Sequence, residues 1–178
     1  SVEAAFAEAE TRLGPLDAVV VNAGISQNCP TLDLAFAQWR KVMAINLDAA
    51  FLAAQAAGRR MIPRRAGAIL FTASIYGLVA GPERLGYVVS KHGVAAMAKA
   101  LALEWSPHGL RVNAVAPGYV RTALLEELIQ RGRVDADALV AHTPQRRFVE
   151  VEEVARMAAF LISDEASATT GLVASADG

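Results

Sequence analysis

Short runs of branched and aliphatic residues alternate with long helical stretches along this chain, and that alternation constrains its fold more than any other feature. The runs are Asp17-Ala18-Val19-Val20-Val21, Ala68-Ile69-Leu70-Phe71, Arg111-Val112-Asn113-Ala114-Val115 and Leu172-Val173-Ala174. Each is too short for a helix, and the first two, Ala18 to Val21 and Ala68 to Phe71, run apolar without the alternation of a half-solvated strand, the pattern of strands buried on both faces of a parallel sheet. Between them, Leu34 to Met61 carries Phe36, Trp39, Val42, Met43, Leu47, Phe51 and Leu52 at spacings of three and four, which predicts one long helix. Gly86 to Trp105 predicts another, with small residues such as Ala95, Ala98 and Ala102 that let backbones approach. Ser1 to Leu13 predicts an amphipathic helix stopped by Gly14-Pro15, and about Val151 to Ser163 a last one. Strands joined through helices form right-handed βαβ units, so the expected fold is α/β, a doubly wound parallel sheet with about four strands.

The composition narrows the function classes. A net charge of -1 with scattered Lys and Arg lacks the basic stripe that a nucleic-acid partner requires. No apolar run reaches the length needed to cross a bilayer, so no membrane partner is expected. Cys29 is the only cysteine, which excludes an intramolecular disulfide and a cysteine-based zinc cluster and suits a cytoplasmic location. His92, His108 and His142 are too scattered for a metal site.

Chemistry concentrates around Tyr87-Val88-Val89-Ser90-Lys91, with Ser74 upstream at the end of an apolar run. On a helix, positions i and i+4 share a face, so the Tyr87 phenol and the Lys91 ammonium become neighbours. A nearby cation favours phenolate, and the expectation is a phenol more acidic than the usual value of about 10. Ser74 is placed to hold the same substrate oxygen.

Several separate segments together resemble the short-chain dehydrogenase/reductase family. Leu16-Asp17-Ala18-Val19-Val20-Val21-Asn22-Ala23-Gly24 resembles the family's LDxLVNNAG segment, and Asn46 in Ile45-Asn46-Leu47 its helix asparagine. Ser74, Tyr87 and Lys91 complete its tetrad pattern, and Arg111 to Thr122 resembles RVNxVxPGxxxT. Phe160 to Ser167, Thr170-Gly171 and Asp177-Gly178 resemble its FLxSDxAS, TG and DG ending. The pattern is also similar to bacterial 3-oxoacyl carrier-protein reductases and to polyol dehydrogenases. By this resemblance, residues 1–178 form a single Rossmann-like domain corresponding to the C-terminal two-thirds of the family fold. Its TGxxxGxG turn occurs nowhere in the sequence, and the N-terminal βαβαβ cofactor half is expected to precede Ser1. A second departure is Val21, where the family usually has asparagine.

The resemblance implies an NAD(P)-dependent oxidoreductase moving a hydride between NAD or NADP and a ketone or secondary alcohol. Tyr87 would be the acid or base, with Ser74, Lys91 and Asn46 completing the catalytic set. Asn46 would hold a water on a distorted helix backbone. Lys91 and Tyr87, with Asn22, Ala23, Gly24, Pro117, Gly118, Val120 and Thr122, would contact the cofactor. Thr122 also suits the N-cap of a following helix. Ser74, Tyr76, Glu83 and Arg84 are the expected substrate wall, facing a polyol, a sugar, a hydroxy-acid ketone or a 3-oxoacyl thioester. The long helices imply a homotetramer or homodimer. The alternative is a truncated, non-catalytic subunit or interaction module that binds no dinucleotide.

Overall fold

A computed structural model describes residues 1–178. Its main sheet is four-stranded and parallel, in the order β1-β2-β3-β6, formed by Ala18–Val21, Gly67–Thr72, Leu110–Pro117 and Val173–Ala176. The register pairs Val19 with Ile69, Ile69 with Val112, and Ala114 with Val173. The chain therefore leaves every strand at the same edge of the sheet. A minor parallel pair joins β4 (Val120–Arg121) to β5 (Val149–Glu150).

Helices cover both faces. On one side α3 (Ala49–Met61) and α4 (Leu85–Trp105) pack Ala54, Ala57, Met61, Val94, Ala98 and Ala102 against Ile69, Phe71, Val112 and Ala114. Alanines at these contacts bring helix and sheet close, and Gly58 does the same for the Trp105 indole: a Cβ there would lie 2.9 Å from the ring. On the other side α7 (Val151–Ile162) buries Leu161 against Leu70 and Val115. A reciprocal capping box between Glu150 and Glu153 fixes its start. The first helix, α1 (Val2–Leu13), is tied to α3 by ion pairs of Arg59 and Arg60 with Glu3 and Glu10.

Two expectations change. The stretch Leu34 to Met61 is not one regular helix but α2 (Phe36–Met43), a π-helical turn at Ala44–Asp48, and α3. β1 is not buried on both faces, because it lies at the sheet's edge with Ala18 exposed and Val20 46% accessible. The polar stretch after Thr122 folds into two short helices, α5 (Ala123–Gln130) and α6 (Ala136–Ala141). No helix is long and apolar enough to cross a membrane.

Candidate active site

Parallel strands gather their C-terminal ends at one edge, and in open α/β sheets that edge is where ligands bind. Here it presents Asn22 to Ser26 after β1, Ala73 and Ser74 after β2, and Gly118 after β3. Helix α4 starts beside them, placing Tyr87 in its first turn and Lys91 in the next.

Ser74, 6% exposed, caps the single turn Ile75–Gly77, its Oγ accepting from the Tyr76 amide at 3.1 Å. Lys91, 4% exposed, donates from Nζ to the Thr72 carbonyl at 2.7 Å and lies 5.8 Å from the Tyr87 ring centroid. The ammonium therefore sits over the ring face. Gly77 makes this packing possible, since a Cβ at that position would come within 2.7 Å of the Lys91 carbonyl oxygen.

The expected acidic phenol is absent. Burial pushes the Tyr87 phenol above its usual 10.0, and the Ser74 hydroxyl and the Arg84 charge offset this only in part. Lys91 carries the opposite burden: burial lowers it from 10.5 to about 8. The i, i+4 spacing places the two groups on one face, but it says nothing of the desolvation that both share.

Asn46 lies in the π turn, with its side chain fully engaged. Oδ1 accepts from the Ile25 amide at 2.8 Å, and Nδ2 donates to the Ile25 carbonyl at 2.9 Å and to Ser90 Oγ at 3.0 Å. One inserted residue lets the helix turn this amide toward the β1 loop, a device frequent at functional sites.

Ser74, Tyr87, Lys91, Asn22, Gly24, Pro117, Gly118 and Val120 line one recess of about 320 Å³. Tyr76 and Arg84 line a neighbouring recess of about 140 Å³, which shares Ser26, Ser74, Tyr87 and Gly118 with the first and adds Ile75 and Tyr119. Three expected contacts fall elsewhere. Ala23 faces an apolar groove beside Val21 and Ile45. Thr122 is exposed, its hydroxyl capping α5 by accepting from the Leu125 amide at 3.2 Å. Glu83 lines neither recess: it adopts a φ of 60, and its carbonyl accepts from the Cys29 amide at 2.7 Å.

Two residues escaped sequence reasoning. Tyr119 meets Tyr76 hydroxyl to hydroxyl at 3.0 Å. It was legible only as an aromatic beside Gly118. Gln27, 2% exposed, accepts at Oε1 from the Gly86 amide at 3.0 Å and so ties the β1 loop to the start of α4. Nothing in its neighbours marks it.

The larger recess suits the nicotinamide end of a dinucleotide. Its wall includes Asn22, Gly24, Pro117 and Gly118, and a Cβ on Gly24 would stand 3.4 Å from both Lys91 Nζ and Asn46 Oδ1. No acidic side chain lines it, so Lys91 is free to meet a polar or anionic group.

Fold and site together define a nucleotide-fold protein carrying a serine, tyrosine and lysine at the strand C-termini. The chain belongs to the short-chain dehydrogenase/reductase family, and the family model described as enoyl-(acyl carrier protein) reductase matches residues 1–178. It is 39% identical to galactitol 2-dehydrogenase (L-tagatose-forming) of Cereibacter sphaeroides, over 100% of this chain and 70% of that protein. It is 36% identical to gluconate 5-dehydrogenase of Gluconobacter oxydans, over 95% of this chain and 66% of that protein. Among solved structures, a gluconate 5-dehydrogenase from Burkholderia cenocepacia in complex with NADP and tartrate superposes with a TM-score of 0.92. That match has 34% identity and covers 99% of this chain and 69% of that one. The chain thus spans about two-thirds of the length of these relatives.

Proposed function

We propose that the protein is an NAD(P)-dependent oxidoreductase interconverting a ketone and a secondary alcohol, with Tyr87 as the acid or base. The observation that carries this reading is the convergence of Ser74, Tyr87 and Lys91 on one recess also lined by Gly24 and Gly118. The dehydrogenase relatives support the reaction class. When bound, the nicotinamide supplies or accepts the hydride.

The chain's own residues handle the proton and the oxygen. In reduction the carbonyl carbon gains a hydride and its oxygen gains the Tyr87 phenolic proton, so the C=O double bond becomes a C–O single bond. Oxidation reverses every step, with tyrosinate taking the hydroxyl proton. Ser74 Oγ donates to the reacting oxygen and stabilises the charge that builds there. Lys91, charged below about pH 8, stabilises tyrosinate and binds cofactor hydroxyls. Asn46 holds the β1 loop through Ile25, and its π turn shapes the path for a water behind Lys91.

The test is turnover of NAD(P)H by the intact gene product with a panel of ketones. Tyr87→Phe is expected to lower kcat by about 10² to 10⁴, and unchanged turnover would remove Tyr87 from the role. Titration calorimetry with NAD(H) and NADP(H) supplies the second arm, where absence of binding favours a non-catalytic interaction module. We also propose a homo-oligomer. Phe51 and Leu52 on α3 and Leu103 on α4 are 49%, 48% and 82% exposed, and a monomer by sedimentation would contradict it.

A further inference from the structure

Arg84 is a cation without an anion. It immediately precedes α4, half-buried, with its guanidinium 5.2 Å above the Tyr76 ring centroid. Arg60, Arg121 and Arg147, by contrast, pair with carboxylates at 2.6 to 3.2 Å, and Arg111 donates to three main-chain carbonyls. Arg84 has no carboxylate within ion-pair distance, and its side chain donates no hydrogen bond to the protein.

Its surroundings give that charge a direction. The small recess it lines runs to Ser74 and Tyr87, the groups expected to hold the reacting oxygen. Tyr76 packs edge to face on Tyr87 with ring centroids 6.2 Å apart, while its hydroxyl meets that of Tyr119 at 3.0 Å. The Arg84 charge is felt at both Tyr87 and Tyr119. Burial and the Tyr76 hydroxyl push Tyr119 up to about 12, so it stays protonated and able to donate. The recess therefore offers a fork of guanidinium donors and a phenol pair, with no acidic side chain in its wall. Guanidinium matches a carboxylate through two parallel hydrogen bonds, a geometry that hydroxyl groups do not reproduce.

Resting on the hydride-transfer reading above, we propose that Arg84 selects a substrate bearing a carboxylate, a short oxo acid or the corresponding hydroxy acid. The carboxylate lies against Arg84 and the Tyr76–Tyr119 pair, and the carbonyl or hydroxyl lies at Ser74 and Tyr87. At about 140 Å³, the recess has the volume of about five waters at ~30 Å³ each. A short carbon skeleton fits in that space. A neutral polyol would leave the Arg84 charge unanswered.

The test compares isosteric acid and amide probes on the intact protein: pyruvate against pyruvamide, acetoacetate against acetoacetamide, and levulinate against levulinamide. At least one acid is expected to exceed its amide in kcat/KM by about tenfold or more. Arg84→Met should collapse that acid-to-amide ratio by about ten- to a hundredfold, the range for a hydrogen bond to a charged group. Arg84→Lys should retain part of the preference. Equal acid and amide values in the unmodified protein, or a ratio that Arg84→Met leaves unchanged, would overturn the assignment. Calorimetric binding of acetoacetate and acetoacetamide to both proteins reads recognition without turnover. If the acid binds preferentially through Arg84 but nothing is reduced, the carboxylate site stands and the oxidoreductase reading fails. Efficient reduction of neutral ketones with no acid preference does the opposite: the oxidoreductase reading stands and the carboxylate site falls.

Discussion

The two edges of the sheet each hold a recess, and the larger one is at the wrong end for chemistry. At the N-terminal edge, about 630 Å³ opens between the starts of β1, β2 and β3, twice the volume of the recess at the C-terminal edge. Most of its charges are already used, and the remaining one, Asp164, is exposed to water. Arg111 donates to the Leu161, Ser163 and Thr169 carbonyls, Arg65 donates to the Pro107 carbonyl, and Asp17 pairs with Arg64. At the C-terminal edge Lys91 is held by one carbonyl and Arg84 by none. Unspent polar groups, more than volume, distinguish a site from a gap in the packing.

That contrast can be broken in several places. Tyr87→Phe carries the largest expected effect, a loss in kcat of about 10² to 10⁴, with the melting temperature nearly unchanged. A large loss of fold instead would make Tyr87 a packing residue like those at the opposite edge. The charge on Lys91 comes next. Between about 8 and the usual 10.5, the unfolded chain binds more protons than the folded one, so this group makes stability rise with pH across that window. Below about 8 the cost of burying the cation is fully felt, on the order of 3 kcal/mol. Denaturant titrations should show this rise in the unmodified protein and not in Lys91→Met. Asn46→Ala leaves the Ile25 main chain unpartnered and removes one of the two hydrogen bonds of the Ser90 hydroxyl, which keeps its bond to the Tyr87 carbonyl, for an expected loss of about 1 to 3 kcal/mol by the same titration. At the other edge Arg65→Ala removes one exposed hydrogen bond, about 1 kcal/mol or less, and should leave kcat/KM unchanged. A kinetic defect there would mean that the N-terminal recess is functional.

Much of this was legible in the sequence, and the gaps share a cause. Strand identities followed from uninterrupted apolar runs, and the i, i+4 spacing put Tyr87 and Lys91 on one face. Asn113, in the segment that resembles RVNxVxPGxxxT, donates to the Thr169 carbonyl while accepting from the Leu172 amide. What failed depended on surroundings. Ala18-Val19-Val20-Val21 has the composition of an interior strand, but burial is set by neighbours, and β1 has a partner on one side only. A period of three and four cannot show one extra residue in a turn, so the distortion at Asn46 was expected from the family resemblance alone, and the π turn is the form it takes. Tyr119 gains its role only from the Tyr76 hydroxyl opposite it.

The grip of Asn46 on Ile25 has a kinetic corollary. Residues 22 to 30 contain no helix or strand, and amides in such a segment ordinarily exchange with solvent quickly. The Ile25 amide, like the Cys29 amide bonded to the Glu83 carbonyl, is an exception; at Ile25 a side chain from a buried helical turn replaces the strand that would otherwise protect it. Its deuterium uptake therefore reports the rate at which the loop and the π turn part, a built-in clock for opening of the site.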